Sequence, residues 1–194
     1  LTQIRNGDAR PGGKVLEVEA IRFCSMADDE TGAIKYTIKL LNFSGPITIT
    51  PYIDGDVVNK DSNYDEKFWD EVKKEHWPDG GYLQMRTKKT GFEVATGMQF
   101  AVLQNGASVS AEAEAVSKEK FIAKKITLQA IEGQPISIIK YAANLSSQNH
   151  PAAELAPNLK ATLLRIGQKG FDAMLEEQAA AWATKCQHND IILE

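Results

Sequence analysis

At 194 residues, with 43% hydrophobic and 25% charged side chains, the chain has the composition of an ordinary globular protein, long enough for one domain and an appendage. Its formal net charge is -4, with Lys and Arg scattered among acids; there is no basic stripe, which argues against nucleic acid as a partner. The longest apolar runs are far shorter than a bilayer span, so no membrane partner is expected either.

The chain opens on a loop-like stretch, NGDARPGG at residues 6–13, and the first convincing strand is expected near Lys14. From there to about Leu145, short runs rich in Val, Ile, Thr, Tyr and Phe alternate with turn residues, the pattern of an all-β chain. Strands are expected at residues 14–23, 34–43 and 47–53, punctuated by DDETG and SGP. After a polar stretch come runs at 82–88 and 91–104, then Asn105-Gly106, then a run at 108–116. Asn-Gly between two strand-like runs signals a hairpin, because a type I′ turn needs positive φ at both central positions. Runs at 121–130 and 135–145 complete about eight strands. So many short strands predict a sandwich of antiparallel sheets.

The pattern changes at Asn149. Residues 151–170 carry Leu159, Leu163, Leu164 and Ile166 at helical spacing, with Pro157 near a first-turn position and Gly170 as the residue that ends the helix. A second helix is expected at once, with Phe171, Leu175, Ala179, Trp182 and Cys186 on one apolar stripe and Trp182 anchoring it in the core. Two helices cannot bury that stripe alone, so they are expected to pack on the sandwich or on a following domain. The division is then residues 1–148 as β-domain and 149–194 as a two-helix connector, and the apolar ending IILE is expected to continue into further chain. Cys24 and Cys186 lie far apart in unlike contexts and suggest neither a disulfide framework nor a metal knuckle; buried thiols are expected.

Few residues point to chemistry. The acidic stretch Asp54, Asp56, Asn59, Asp61, Asn63, Asp65 and Glu66 offers oxygens that suit calcium, but its spacing fails the EF-hand pattern. A loop whose Asp and Asn side chains satisfy its own backbone amides is the better reading. His76, His150 and His188 have no second ligand at zinc spacing and read as surface or structural residues. Tyr52, Tyr64, Phe68, Trp69, Trp77 and Tyr82 cluster in one excursion between strands. Core packing is favoured for such aromatics over a sugar-stacking platform, although a long loop on a rigid sandwich is where function tends to sit.

Three segments, YIDGDVVNKDSNYDEKFW (residues 52–69), RTKKTGFEV (86–94) and GFDAMLEEQAAAWATKCQHNDIILE (170–194), resemble glycoside hydrolase family 65, which includes maltose, kojibiose and trehalose phosphorylases. The similarity covers essentially the whole chain. It implies a mainly β fold, an antiparallel super-sandwich of galactose-mutarotase-like type, followed by two C-terminal linker helices that lead to an (α/α) barrel beyond this chain. It also implies that an earlier stretch of strands is missing. One departure is that Cys186 stands near where the family carries a second Trp, four residues after Trp182.

The resemblance further implies a parent enzyme that cleaves α-linked glucose disaccharides by inverting phosphorolysis, with inorganic phosphate as co-substrate and no other cofactor. Phosphate is already nucleophilic, so one general acid suffices, and the resemblance puts that acid in the barrel. No catalytic and no metal-binding residue is therefore assigned here, and this chain alone is expected to be inert. A substrate-gating loop carrying Tyr64, Phe68, Trp69 and Trp77, a homodimeric parent, and a cytoplasmic location in a bacterium, with a periplasmic one still open, complete the expectations. An acid-trehalase-like hydrolase and a stand-alone carbohydrate-binding sandwich are the alternatives.

Overall fold

The computed structural model describes residues 2–5, 13–58 and 66–189. In chain order the strands are β1 (Thr2–Arg5), β2 (Val15–Cys24), β3 (Thr31–Leu40), β4 (Gly45–Ile49), β5 (Tyr52–Asp54), β6 (Trp69–Trp77), β7 (Gly80–Thr87), β8 (Glu93–Gln104), β9 (Ala107–Val109), β10 (Ala113–Lys118), β11 (Phe121–Ala130) and β12 (Pro135–Ser146). A 3-10 turn (Ala152–Glu154) leads into helices α1 (Leu155–Lys169) and α2 (Phe171–Asn189). The larger sheet runs β1-β2-β3-β12-β8-β7-β6, with β9 beside β8; the smaller runs β10-β11-β4, with β5 also on β11. Every pairing is antiparallel. The fold is thus the expected antiparallel sandwich followed by two helices.

Three layers result. Leu40, Phe100, Val102, Ile126, Ile136 and Ile138 fill the space between the sheets, and Ile53, Leu83, Met85, Met98 and Ile122 extend it toward β6. On the opposite face of the larger sheet, Leu155, Leu159, Leu163 and Ile166 of α1, with Phe171 and Met174 of α2, pack on Tyr82, Ala95, Ile139, Tyr141, Ala143 and Leu145. The central strands β8 and β12 are therefore covered on both sides over most of their length, which is why their apolar residues do not keep to alternate positions. Gly97 makes the close approach of α1 possible: a Cβ there would lie 2.8 Å from both Leu159 Cδ2 and Leu163 Cδ1. Gly170 ends α1 with φ 84°, a region that glycine tolerates, and its N–H donates to Ile166 O.

Several elements differ from the sequence reading. The run 47–53 is two strands, because Pro51 has no N–H to give a ladder; its carbonyl instead accepts from Lys124 N at 3.0 Å. The run 108–116 also divides: β9 finishes the Asn105-Gly106 hairpin, whose φ values of 51° and 80° are those of the expected turn, and β10 crosses to the smaller sheet. Strand β1 precedes the expected first strand, and β6 occupies part of the stretch expected to be loop. Its sequence, WDEVKKEHW, reads as polar because it is an edge strand, and a bulge between Glu71 and Lys73 breaks its alternation.

Trp182 does not anchor α2. It is 50% exposed, because burial along α2 stops at Gln178, whose Oε1 accepts from Met26 N at 2.6 Å. The apolar side instead comprises Phe171, Met174 and, in part, Leu175. Both cysteines are exposed free thiols rather than buried ones: Cys24 ends β2, whose second half is mostly exposed, and Cys186 lies beyond the buried part of α2.

Candidate functional site

The aromatic excursion is not one surface. Tyr64 lies outside the described residues, and Phe68 is half-buried at the start of the edge strand, its carbonyl accepting from Lys88 N at 2.9 Å. Trp69 and Trp77 are eight positions apart, an even spacing that would put both on one face of a regular strand. The bulge reverses that parity. Before it Trp69 pairs with Thr87 and Glu71 with Met85; after it Lys74 pairs with Leu83 and His76 with Gly81. Trp69 consequently packs against the cluster between the sheets, and Trp77 against the helix-covered face.

Trp77 has mainly structural surroundings. Its ring lies 6.3 Å from that of Tyr82, and Lys160 Nζ sits 5.7 Å from its centroid while pairing with Glu75 at 2.7 Å. It faces Gly80, where a Cβ would come within 2.7 Å of Trp77 Nε1, so the glycine makes room for the indole. The adjoining cleft of about 390 Å³ is lined by Glu75, Trp77, Asp79, Gln99, Lys160, Leu163 and Leu164. Its polar groups are largely committed to one another, since Gln99 Nε2 donates to Asp79 Oδ2 at 2.7 Å.

Trp69 borders a different hollow, of about 270 Å³, on the inner side of the larger sheet where the smaller sheet ends. Its lining is Asp54, Gly55, Val57, Trp69, Met85, Val94, Thr96 and Asn144. Thr96 and Asn144 are directly opposed on β8 and β12, and Thr96 Oγ1 donates to Asn144 Oδ1 at 2.8 Å. Asp54 Oδ1 accepts from Asp56 N at 2.9 Å, the self-satisfying loop geometry expected of the acidic stretch. Asp56 itself is held by Lys67, whose hydrogen bond is the main reason its carboxyl lies below the usual range. Residues 59–65 of that stretch lie outside the described residues. Thr96 and Asn144 attract no notice in sequence; only their register across two strands brings them to Trp69.

A polar seam ties β6 to the β10–β11 hairpin. Lys74 Nζ donates to Lys118 O at 2.8 Å and pairs with Glu71, which in turn accepts from Lys120 N at 2.6 Å. His76 Nε2 hydrogen-bonds with Ser117 Oγ at 2.7 Å, and its Nδ1 is buried without a partner. Burial first, then the ammonium groups of Lys124 and Lys74, push the His76 imidazole below its ordinary pKa of 6.5. The unfolded chain therefore takes up the proton first. The neutral form's contribution is complete above that ordinary value and is lost as pH falls below it through the lowered folded one. Urea midpoints should fall from pH 7 toward pH 5, and more shallowly in His76→Gln; parallel profiles would assign the dependence to other groups. His150 is structural as expected, with Nε2 2.7 Å from Glu30 Oε1. The His188 side chain lies outside the described ones, and no group of three potential metal ligands occurs among the described residues.

Residues 3–185 match the Glycosyl hydrolase family 65, N-terminal domain. The chain is 29% identical over 192 residues to the maltose phosphorylase of Bacillus subtilis (strain 168), an alignment covering 96% of this chain and 24% of that protein. It is 23% identical to the alpha,alpha-trehalose phosphorylase of Thermoanaerobacter brockii, covering 95% and 24%. To the kojibiose phosphorylase of Halothermothrix orenii it is 22% identical, covering 89% and 23%. A solved structure described as a kojibiose phosphorylase from human microbiome superposes with TM-score 0.73 at 15% identity, over 87% of this chain and 21% of that one, which speaks to the fold. The chain spans about a quarter of the length of the curated relatives it matches. With the match running over residues 3–185, the chain belongs to glycosyl hydrolase family 65, as its N-terminal domain.

Proposed function

We propose that this is the non-catalytic N-terminal domain of an enzyme that cleaves α-linked glucose disaccharides by inverting phosphorolysis, giving glucose 1-phosphate and glucose. The observation that carries this reading is the set of curated relatives: proteins named for phosphorolysis of maltose, trehalose and kojibiose align with nearly the whole chain. In such a reaction inorganic phosphate attacks the anomeric carbon while a carboxylic acid protonates the departing oxygen, and no further cofactor is required. We place the acid outside this chain, in a helical barrel that α2 leads toward, and take the parent to be a cytoplasmic homodimer.

Assaying the full-length protein on a panel of α-linked glucose disaccharides, with and without phosphate, tests the reading. Phosphate-dependent glucose 1-phosphate is the expected product. Glucose release alone would instead mean a hydrolase, and no turnover of any sugar would favour a binding module.

The segment around Tyr64, Phe68, Trp69 and Trp77 is proposed to lean toward the barrel and shape the mouth of its site. Trp69–Trp77 is a strand paired along β7, so the deletion that probes gating is confined to residues 59–65. Deleting them should shift KM or disaccharide preference in the full-length enzyme; an unaltered preference and unaltered oligomeric state would sink the gating role.

A further inference from the structure

We propose that the hollow beside Trp69 is a binding site for a neutral glucosyl ring. Trp69, Met85, Val57 and Val94 give it apolar surface, and the polar groups among the described lining residues are few, the usual composition of a small-molecule site. Trp69 is only partly buried although it packs against the cluster of Ile53, Leu83, Met85, Met98 and Ile122, so part of the indole remains available to a ligand.

The hydrogen-bonding groups are complementary. Asn144 Oδ1 already accepts the Thr96 hydroxyl, which leaves the amide Nδ2 as a donor. Asp54 Oδ1 already accepts from Asp56 N, which leaves Oδ2 as an acceptor. Each hydroxyl of a sugar ring can both donate and accept, so a lining that offers a donor and an acceptor suits it. The hollow's volume of about 270 Å³ admits a pyranose ring.

The charge selects against the other component of phosphorolysis. Among the described residues the lining contains one carboxylate and no cationic side chain. A phosphate dianion would meet repulsion there, whereas a neutral polyol would not. Gly55 lets the chain after β5 lie close against the Leu83 and Met85 side chains: a Cβ there would lie 2.8 Å from Leu83 Cδ2 and 3.0 Å from Met85 Sδ.

Only the choice of glucose as the sugar rests on the phosphorylase reading. The test titrates maltose, glucose and inorganic phosphate into the 194-residue chain while following backbone amide and indole N–H resonances by NMR. Saturable shifts at Trp69, Thr96 and Asn144 with maltose or glucose, and none with phosphate, are expected. Trp69→Ala should weaken binding about tenfold or more, a factor of ten being about 1.4 kcal/mol. Because Trp69 also packs on the core, Asn144→Ala, at an exposed position, serves as the second variant and should weaken binding severalfold. Trp182→Ala, at an exposed position on α2, should leave it unchanged. No saturable sugar binding, or binding indifferent to both Trp69→Ala and Asn144→Ala, would overturn the site. Phosphorolysis by the full-length protein without binding here would refute the site and leave the enzymatic reading standing; binding here without any turnover would do the reverse.

Discussion

Gly97→Leu is expected to lift α1 off the larger sheet and to destabilise the chain by about 3 kcal/mol or more. In a regular sheet glycine is a poor residue, and a larger side chain would ordinarily help. Here the contact decides the sign, because even a Cβ would reach 2.8 Å from two leucine methyls of the helix packed above it. Those methyls belong to Leu159 and Leu163, exposed by 0% and 1%, and they cannot retreat without moving Leu155 and Ile166 from the same surface. Gly97→Ala should cost less, since methyl groups at the ends of side chains can give by a few tenths of an ångström. In the double variant Gly97→Ala, Leu163→Ala, the two losses should be less than additive, because the second change vacates the space that the first invades. Leu163→Ala alone removes a buried leucine and should cost about 2–5 kcal/mol. Urea unfolding of the four variants measures all of this. Strict additivity, or a Gly97→Leu midpoint equal to the parent's, would mean that α1 is not held by this contact.

That contact also shows where sequence reading stops. Residues 121–130 form a run of strand-forming residues followed by the turn residues Glu132-Gly133, and the strand has those same bounds; the Asn-Gly turn likewise carries its own geometry. Local chemistry suffices in both cases. The apolar stripe on the helices was equally legible, but not what it would meet: its first half lies on β8 and β12, while Trp182 and Cys186 lie beyond the sheet. The hollow was less accessible still. Trp69 drew notice as an aromatic, yet its separation from Trp77 depends on one inserted residue in a charged edge strand, which no periodicity reveals. Thr96 and Asn144 come together across 48 positions through register alone.

Glu93→Ala is expected to cost about 3 kcal/mol, far more than Arg86→Ala, although the two residues form an ion pair. Arg86 is half exposed, so its guanidinium can return to water, and such pairs contribute at most about 1 kcal/mol. Glu93 is 7% exposed and also accepts from the Gln84 amide, itself 7% exposed. Removing the carboxylate therefore strands a buried donor and leaves a void at the start of β8. The backbone of Glu93 adds a second consequence. Its N–H donates to Ser147 Oγ and its carbonyl accepts from Ser147 N, which fixes the chain where β12 gives way to the turn before α1. Glu93→Gln keeps the volume and an acceptor for Gln84, and should recover more than half of the loss. Glu93→Ala combined with Gln84→Met should also recover part of it, because the stranded donor disappears with its partner. Equal costs for Arg86→Ala and Glu93→Ala would show instead that the exposed ion pair, and not the buried amide, holds this corner. Glu93 shares the face of β8 on which Ala95 and Gly97 receive α1, so loosening the end it braces should also weaken the helix layer.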